Sequence, residues 1–231
     1  MRPDQLCSTM PGLPAPSSIF ASGLVANAKS ERDGCQAADI FATNQPEQTS
    51  AMSYLREEIV MTSDEVQQAI DQMAQRIHAG ITEPQKRVVI GIRRGGAVVA
   101  RLLRDRLAQL QGVGFPIGFL DITFYRDDLD TVGPNPVVGA TDLAMDIDDK
   151  SIILVDDILF TGRTIRAALN ALFDFGRPEI VNLAVLVDRG HRQLPIQPDH
   201  TAKILETGCR ESIKLVEKEA GRFVVVRRLR A

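Results

Sequence analysis

A chain of 231 residues with 44% hydrophobic and 25% charged side chains has the makeup of an ordinary globular protein, long enough for one substantial core and an appendage. Its longest apolar runs are strand-sized, well short of the ~20 residues a membrane helix needs, which argues against a helical membrane protein. A formal net charge of −3 and an isoelectric point near 5.7 argue against bulk attraction to nucleic acid, although between residues 86 and 106 seven basic side chains stand against one acid, Asp105.

Residues 1–52 are rich in Ser, Ala, Pro and Gln and show no sustained helical or strand period, so they read as a disordered extension. A secretory or organelle leader is not expected, because the charged start and continuous apolar core are missing and five acids outnumber three basic residues. The other reading is that Met52 is the natural start. Cys7, Cys35 and Cys209 form no CxxC pair and have no histidine cluster beside them, so neither a disulfide framework nor a zinc site is expected, and a reducing cytoplasm fits.

The globular domain is expected over residues 53–231. "TSDE" (62–65) is a capping box, and Val66, Ile70, Met73 and Ile77 then recur on one helical face, which predicts a helix over 63–79. "RVVIGI" (87–92) predicts a strand, 96–110 an amphipathic helix, and "PIGFLDITFY" (116–125) a second strand. Residues 126–149 hold Gly, Pro and acids without a long period, and at that length they read as a flap over a site, with a small hairpin inside it. A strand over 151–158, a helix over 164–176 and a strand over 179–188 follow. Strands alternating with helices indicate an α/β fold with a mainly parallel sheet covered on both faces. "RGHRQLPIQPDH" (189–200) reads as loop, and 212–216 with 223–226 as a small C-terminal cap or edge hairpin.

The chemistry concentrates at "ILVDDILFTGRTIR" (153–166), where an apolar strand ends in Asp156 and Asp157 and a polar turn restarts as a helix. In an open parallel sheet, ligands sit beyond the carboxyl ends of the strands. Thr161, Gly162, Arg163 and Thr164 offer backbone N–H groups and hydroxyls at a helix N-terminus, a place suited to phosphate. Two carboxylates beside that turn repel the same phosphate and suit vicinal sugar hydroxyls instead, which suggests a ribose over the acids with its 5′-phosphate in the turn. The pattern is neither the nucleoside-triphosphate loop nor the three-glycine dinucleotide loop.

This order of apolar strand, two acids, two residues and Thr-Gly-x-Thr resembles the motif of the type I phosphoribosyltransferases, which use 5-phosphoribosyl diphosphate with Mg²⁺. The flanking "DITFYRDDL" (121–129) and "GRPEIVNLAVLVDRGHRQLPI" (176–196) resemble the PyrR family of bifunctional pyrimidine-operon regulators and uracil phosphoribosyltransferases, over roughly residues 56–205. The resemblance implies a type I phosphoribosyltransferase fold with a C-terminal hood, and conversion of uracil and 5-phosphoribosyl diphosphate to UMP and diphosphate. It implies donor binding by Asp156, Asp157, Ile158, Leu159, Phe160, Thr161, Gly162, Arg163 and Thr164, and diphosphate binding by Arg93, Arg94 and Gly95 of "GIRRGG". Asp157 and Arg126 carry the catalytic roles, Asp157 stabilising positive ribose character and Arg126 closing over the diphosphate with the flap. Asp188 and Arg189 fall at the base. No protein ligand to the metal is implied, since Mg²⁺ arrives with the diphosphate, and a homo-oligomer, dimer or tetramer, is expected.

The family also holds UMP-responsive RNA-binding attenuators, and His191, Arg192 and Lys203 are the candidate contacts to a leader RNA. RNA-binding members are basic in the first helix and after "LPI", whereas this chain has Asp71, Gln72 and Gln75 in the helix and Gln197 after Ile196, so the basic face is diluted. The segment after Lys203 departs from the family ending. Besides uracil transfer, the alternatives are an RNA attenuator with little enzymatic role and a purine phosphoribosyltransferase.

Overall fold

In a computed structural model of the chain, residues 54–125, 141–208 and 210–230 are described. The extension over residues 1–52, the three cysteines, and residues 126–140 of the expected flap, Arg126 among them, lie outside them.

The first helix, α1 (Ser63–Ala79), forms where its capping box predicts. Thr62 N–H donates to the Glu65 carboxylate at 2.8 Å while Glu65 N–H donates to the Thr62 hydroxyl at 3.4 Å, which satisfies two N-terminal donors. Val66, Ile70, Met73, Ala74 and Ile77 are its buried face. β2 (Arg87–Ile92), α2 (Gly95–Gln111), β3 (Ile117–Leu120), β4 (Ser151–Leu159), α3 (Arg163–Phe173) and β5 (Ile180–Asp188) follow the predicted alternation. β2 to β5 and a further strand, β6 (His200–Ile204), form a five-stranded sheet in the order β3-β2-β4-β5-β6, with every pairing parallel.

β4 is the central strand and is buried on both faces. Ile153 and Val155 pack into a core shared with α1 and α2, and Ile152 and Leu154 into a second core under α3. Burial on two sides explains why the strand reads as a continuous apolar run rather than an alternating one. Each of these fully buried side chains contributes about 1.5–3 kcal/mol through removal from water.

The structure departs from the sequence reading in three places. β3 stops at Leu120 instead of running to residue 125, because the Asp121 carboxylate takes the Thr123 N–H at 2.8 Å and its hydroxyl at 2.5 Å, a local turn that competes with strand pairing. The hairpin expected inside 126–149 falls largely outside the described residues; of those described, Asp142 bridges back antiparallel to Phe119. The segment read as loop ends in a fifth parallel strand, β6 (His200–Ile204), seated when Asp199 exchanges hydrogen bonds with Leu183. The C-terminal hairpin is longer than predicted: β7 (Glu211–Glu219) and β8 (Arg222–Arg230) join β1 (Tyr54–Met61) in an antiparallel sheet ordered β1-β8-β7. β1 escaped detection because its middle, "REE", carries the charges of a surface strand. Glu57 there meets Arg228 at 2.6 Å and Lys218 at 3.4 Å across the sheet.

Candidate active site

The sheet's carboxyl edge gathers the sequence motifs. Asp156 and Asp157 lie in the last four residues of β4, with Asp156 only 5% exposed. The Asp156 carboxylate turns back to accept the Asp157 N–H at 3.0 Å. Burial pushes the Asp157 carboxyl above the ordinary carboxylate range, and hydrogen bonds from Asp156 and from the backbone N–H groups around it oppose that shift. A carboxyl in that condition holds its proton more readily until a ligand supplies donors or positive charge.

The loop between β2 and α2 is pressed onto these acids. A Cβ on Gly95 would overlap the Asp157 carboxylate, and one on Gly96 would stand 2.6 Å from the Val155 carbonyl oxygen and 2.9 Å from Asp156 Cα. Only glycine permits this approach. Arg93 N–H donates to Leu120 O at 2.9 Å, which ties the loop to the end of β3, and the Arg93–Arg94 peptide is cis. Arg93 and Arg101 both approach the Phe119 ring, at 5.9 and 4.4 Å from its centroid, and Arg93 Nε is buried without a hydrogen-bond partner. Arg94 is exposed and gives α2 no side-chain cap, so the helix's first N–H groups face the same edge as the arginines. The rest of the basic cluster is dispersed: Lys86 pairs with Glu83, Arg104 with Asp105 and Arg106 with Asp71.

The turn after β4 opens α3 at Gly162, whose φ of 90° needs glycine. Ile158 and Leu159 complete the strand, with Leu159 buried, and Phe160 begins the turn. Arg163 N–H lies 3.4 Å from the Thr161 hydroxyl, and Thr164 sits half-buried in the first turn of the helix. The turn is zipped to the segment after β5. Thr161 O accepts the N–H groups of Gln193 and Leu194 at 3.0 and 3.2 Å, and Arg163 Nε donates to the Gln193 side chain at 2.9 Å. Ile196 and Leu194 pack beside Gly162.

Asp188 and Arg189, expected at the base, direct their side chains into the chain itself. The Asp188 carboxylate accepts Gly190 N–H at 2.9 Å and pairs with Arg192 at 2.6 Å. Arg189, 6% exposed, stacks 4.1 Å over Phe160 and donates to the Thr207 hydroxyl and Gly208 O. Of the candidate RNA contacts, His191 is exposed, at φ 58°, with its ring edge-on to Phe160 and Nε2 2.5 Å from Thr207 O; Arg192 is bonded internally; Lys203 is exposed on β6. Gln193 and Leu194 were missed because they hold Thr161 through backbone N–H groups, which no residue type announces. Among the described residues no three His, Cys, Asp or Glu side chains are grouped to hold a metal ion, and no helix is long and apolar enough to cross a membrane.

Two adjacent acids, a glycine-tightened basic loop and an N–H-lined turn thus share one strand tip. A family model described as a phosphoribosyl transferase domain matches residues 60–209. The Bifunctional protein PyrR of Deinococcus radiodurans is 45% identical over 160 residues, covering 69% of this chain and 87% of the relative. That of Pelotomaculum thermopropionicum is 41% identical over 169 residues, covering 72% and 93%. Among solved structures, a hypoxanthine-guanine phosphoribosyltransferase from Bacillus anthracis superposes with a TM-score of 0.55 at 18% identity, covering 72% of this chain and 96% of that one. The hypoxanthine phosphoribosyltransferase of Trypanosoma cruzi gives 0.55 at 21%, covering 75% and 91%. At these identities the structures speak for the fold, and the family follows from the sequence relatives: the chain belongs to the phosphoribosyltransferases, in their PyrR family.

Proposed function

We propose that the chain is a uracil phosphoribosyltransferase: the C1–oxygen bond of 5-phosphoribosyl diphosphate breaks, uracil N1 bonds to C1, diphosphate leaves, and the N1 proton passes to solvent. The observation that carries this reading is the contact of the Asp156–Asp157 strand tip with Gly95 and Gly96, which supports it by setting the two acids beside the basic loop, within reach of a single donor molecule. Uracil as acceptor is supported by the PyrR relatives and by "VDRGHRQLPI".

In this reading the Asp157 carboxylate accepts the ribose hydroxyls and stabilises positive character at C1. Residues 160–164 take the 5′-phosphate. Arg93, Arg94 and the α2 N-terminus take the diphosphate, joined by Arg126, which lies outside the described residues. Mg²⁺ arriving with the substrate would supply charge neutralisation at the diphosphate. Catalysis is then chiefly positioning and charge stabilisation. We place the enzyme in the cytoplasm as a homo-oligomer with one transferase domain from about residue 53.

The test is formation of UMP from uracil and magnesium 5-phosphoribosyl diphosphate, with hypoxanthine, guanine and orotate as competitors. Equal or better turnover of another base would refute the uracil assignment. The relatives' designation as bifunctional favours a second reading on the same chain, a UMP-dependent hold on leader RNA through His191 and Lys203. A gel shift with a leader hairpin, with and without UMP, reads it directly.

A further inference from the structure

Arg192 lies between the two halves of the site and spends its guanidinium inside the protein. Nε donates to Ile196 O at 2.9 Å, Nη1 to Phe160 O at 2.9 Å and to Gly190 O at 3.2 Å, and Nη2 to the Asp188 carboxylate at 2.6 Å. Four of the five N–H donors of the group are thereby engaged, and the Arg192 and Asp188 side chains are only 21% and 17% exposed. The acceptors come from three separate places: the start of the turn after β4, the last residue of β5, and the loop over 190–196. The backbone bonds from Gln193 and Leu194 to Thr161 O, and the packing of Leu194 and Ile196 against Gly162, run alongside.

We infer that Arg192 is a positioning residue: its guanidinium clamps the turn that takes the 5′-phosphate to the tip of β5 and the loop over 190–196, setting the separation between the phosphate and base sides of the site. It touches neither substrate nor reacting atoms in this role. The physical basis is geometry. A planar fork satisfies carbonyls in several directions at once, whereas an ammonium on a flexible stem cannot present donors to three separated backbone oxygens and a carboxylate together. Nor is the group disposed toward an RNA phosphate, which would have to displace Asp188. The inference rests on the phosphoribosyl-transfer reading above but not on which base is used.

The test compares the full chain with Arg192→Met, Arg192→Lys and the double variant Arg192→Met/Asp188→Asn, the last removing the carboxylate that the first leaves unpaired. Calorimetry measures binding of magnesium 5-phosphoribosyl diphosphate alone, steady-state kinetics measures UMP formation, and thermal unfolding identifies the folded proteins. The expected result is a Kd and KM for the donor raised about 30-fold in Arg192→Met and in the double variant, with kcat within about threefold, because the 5′-phosphate is held alike in ground and transition states. Arg192→Lys is expected to stay at least about 10-fold weakened. A folded double variant with donor Kd within twofold of wild type would overturn the inference, as would full rescue by lysine or a fall in kcat at unchanged KM. Loss of leader-RNA binding with donor affinity intact would also overturn it and make Arg192 an RNA contact. Wild-type protein that binds the donor yet forms no UMP would defeat the uracil reading alone, and the clamp would then be decided by the calorimetric comparison.

Discussion

Gly96 is the second residue of α2, and its missing side chain is what lets the helix start against β4. In Gly96→Ala the new methyl would lie 2.6 Å from the Val155 carbonyl oxygen and 2.9 Å from Asp156 Cα. Ordinary contact begins near 3.4 Å, so a gap of roughly 0.8 Å must open. The obstructing atoms are backbone of the central strand, held between two cores, and cannot rotate aside. The α2 N-terminus therefore moves, carrying Arg93, Arg94 and Gly95 away from the acids. Overpacking of this kind costs about 1–3 kcal/mol, offset in part by the better helix propensity of alanine, up to about 1 kcal/mol. The functional effect is larger: a displacement near 1 Å lowers kcat/KM on the order of 100-fold, equivalent to about 2.7 kcal/mol of transition-state stabilisation. Steady-state UMP formation and urea unfolding read the two quantities. Gly114→Ala is the control, since nothing stands within 4 Å of its Cβ position, and it should leave activity unchanged. If Gly96→Ala kept kcat/KM within threefold of wild type and unfolded at the same urea concentration as the control, the close approach of loop and acids would be refuted.

Asp157→Asn should abolish UMP formation while stabilising the ligand-free protein at pH 8, because it removes a charge that burial disfavours. The sign follows from linkage: a carboxyl raised in the folded state contributes stability at low pH that is lost as pH rises through the raised value. The Tm advantage of the variant should therefore shrink on acidification and vanish below the ordinary Asp range of about 4; a pH-independent difference would contradict this. Thr62→Ala should lower stability by about 1 kcal/mol through loss of the α1 cap and leave the KM values unchanged, because α1 lies on one face of the sheet and not at its carboxyl edge.

The parallel core and the phosphoribosyltransferase family were legible in the sequence because they rest on local rules. A strand buried on both faces must be apolar throughout, as β4 is, and a helix that follows a ligand turn announces itself by a glycine and by hydroxyls, as at 161–164. The capping box of α1 is similarly local, its partners three residues apart. What the sequence could not settle depends on partners far along the chain. β1, with charges at its centre, and β6, with His200, Thr201 and Lys203, do not alternate as strands should, and they pair because β8 and β5 stand beside them. "VDRGHR" reads as a row of available charges, yet folding turns Arg189 onto Phe160 and Thr207 and wraps Arg192 in carbonyls and Asp188. The direction of a long side chain is chosen by whichever acceptors tertiary packing brings within about 3 Å, and those acceptors are mostly backbone oxygens, which every residue carries alike. The family could therefore be inferred from fourteen consecutive residues, whereas the partners of the arginines around them were decided by the fold.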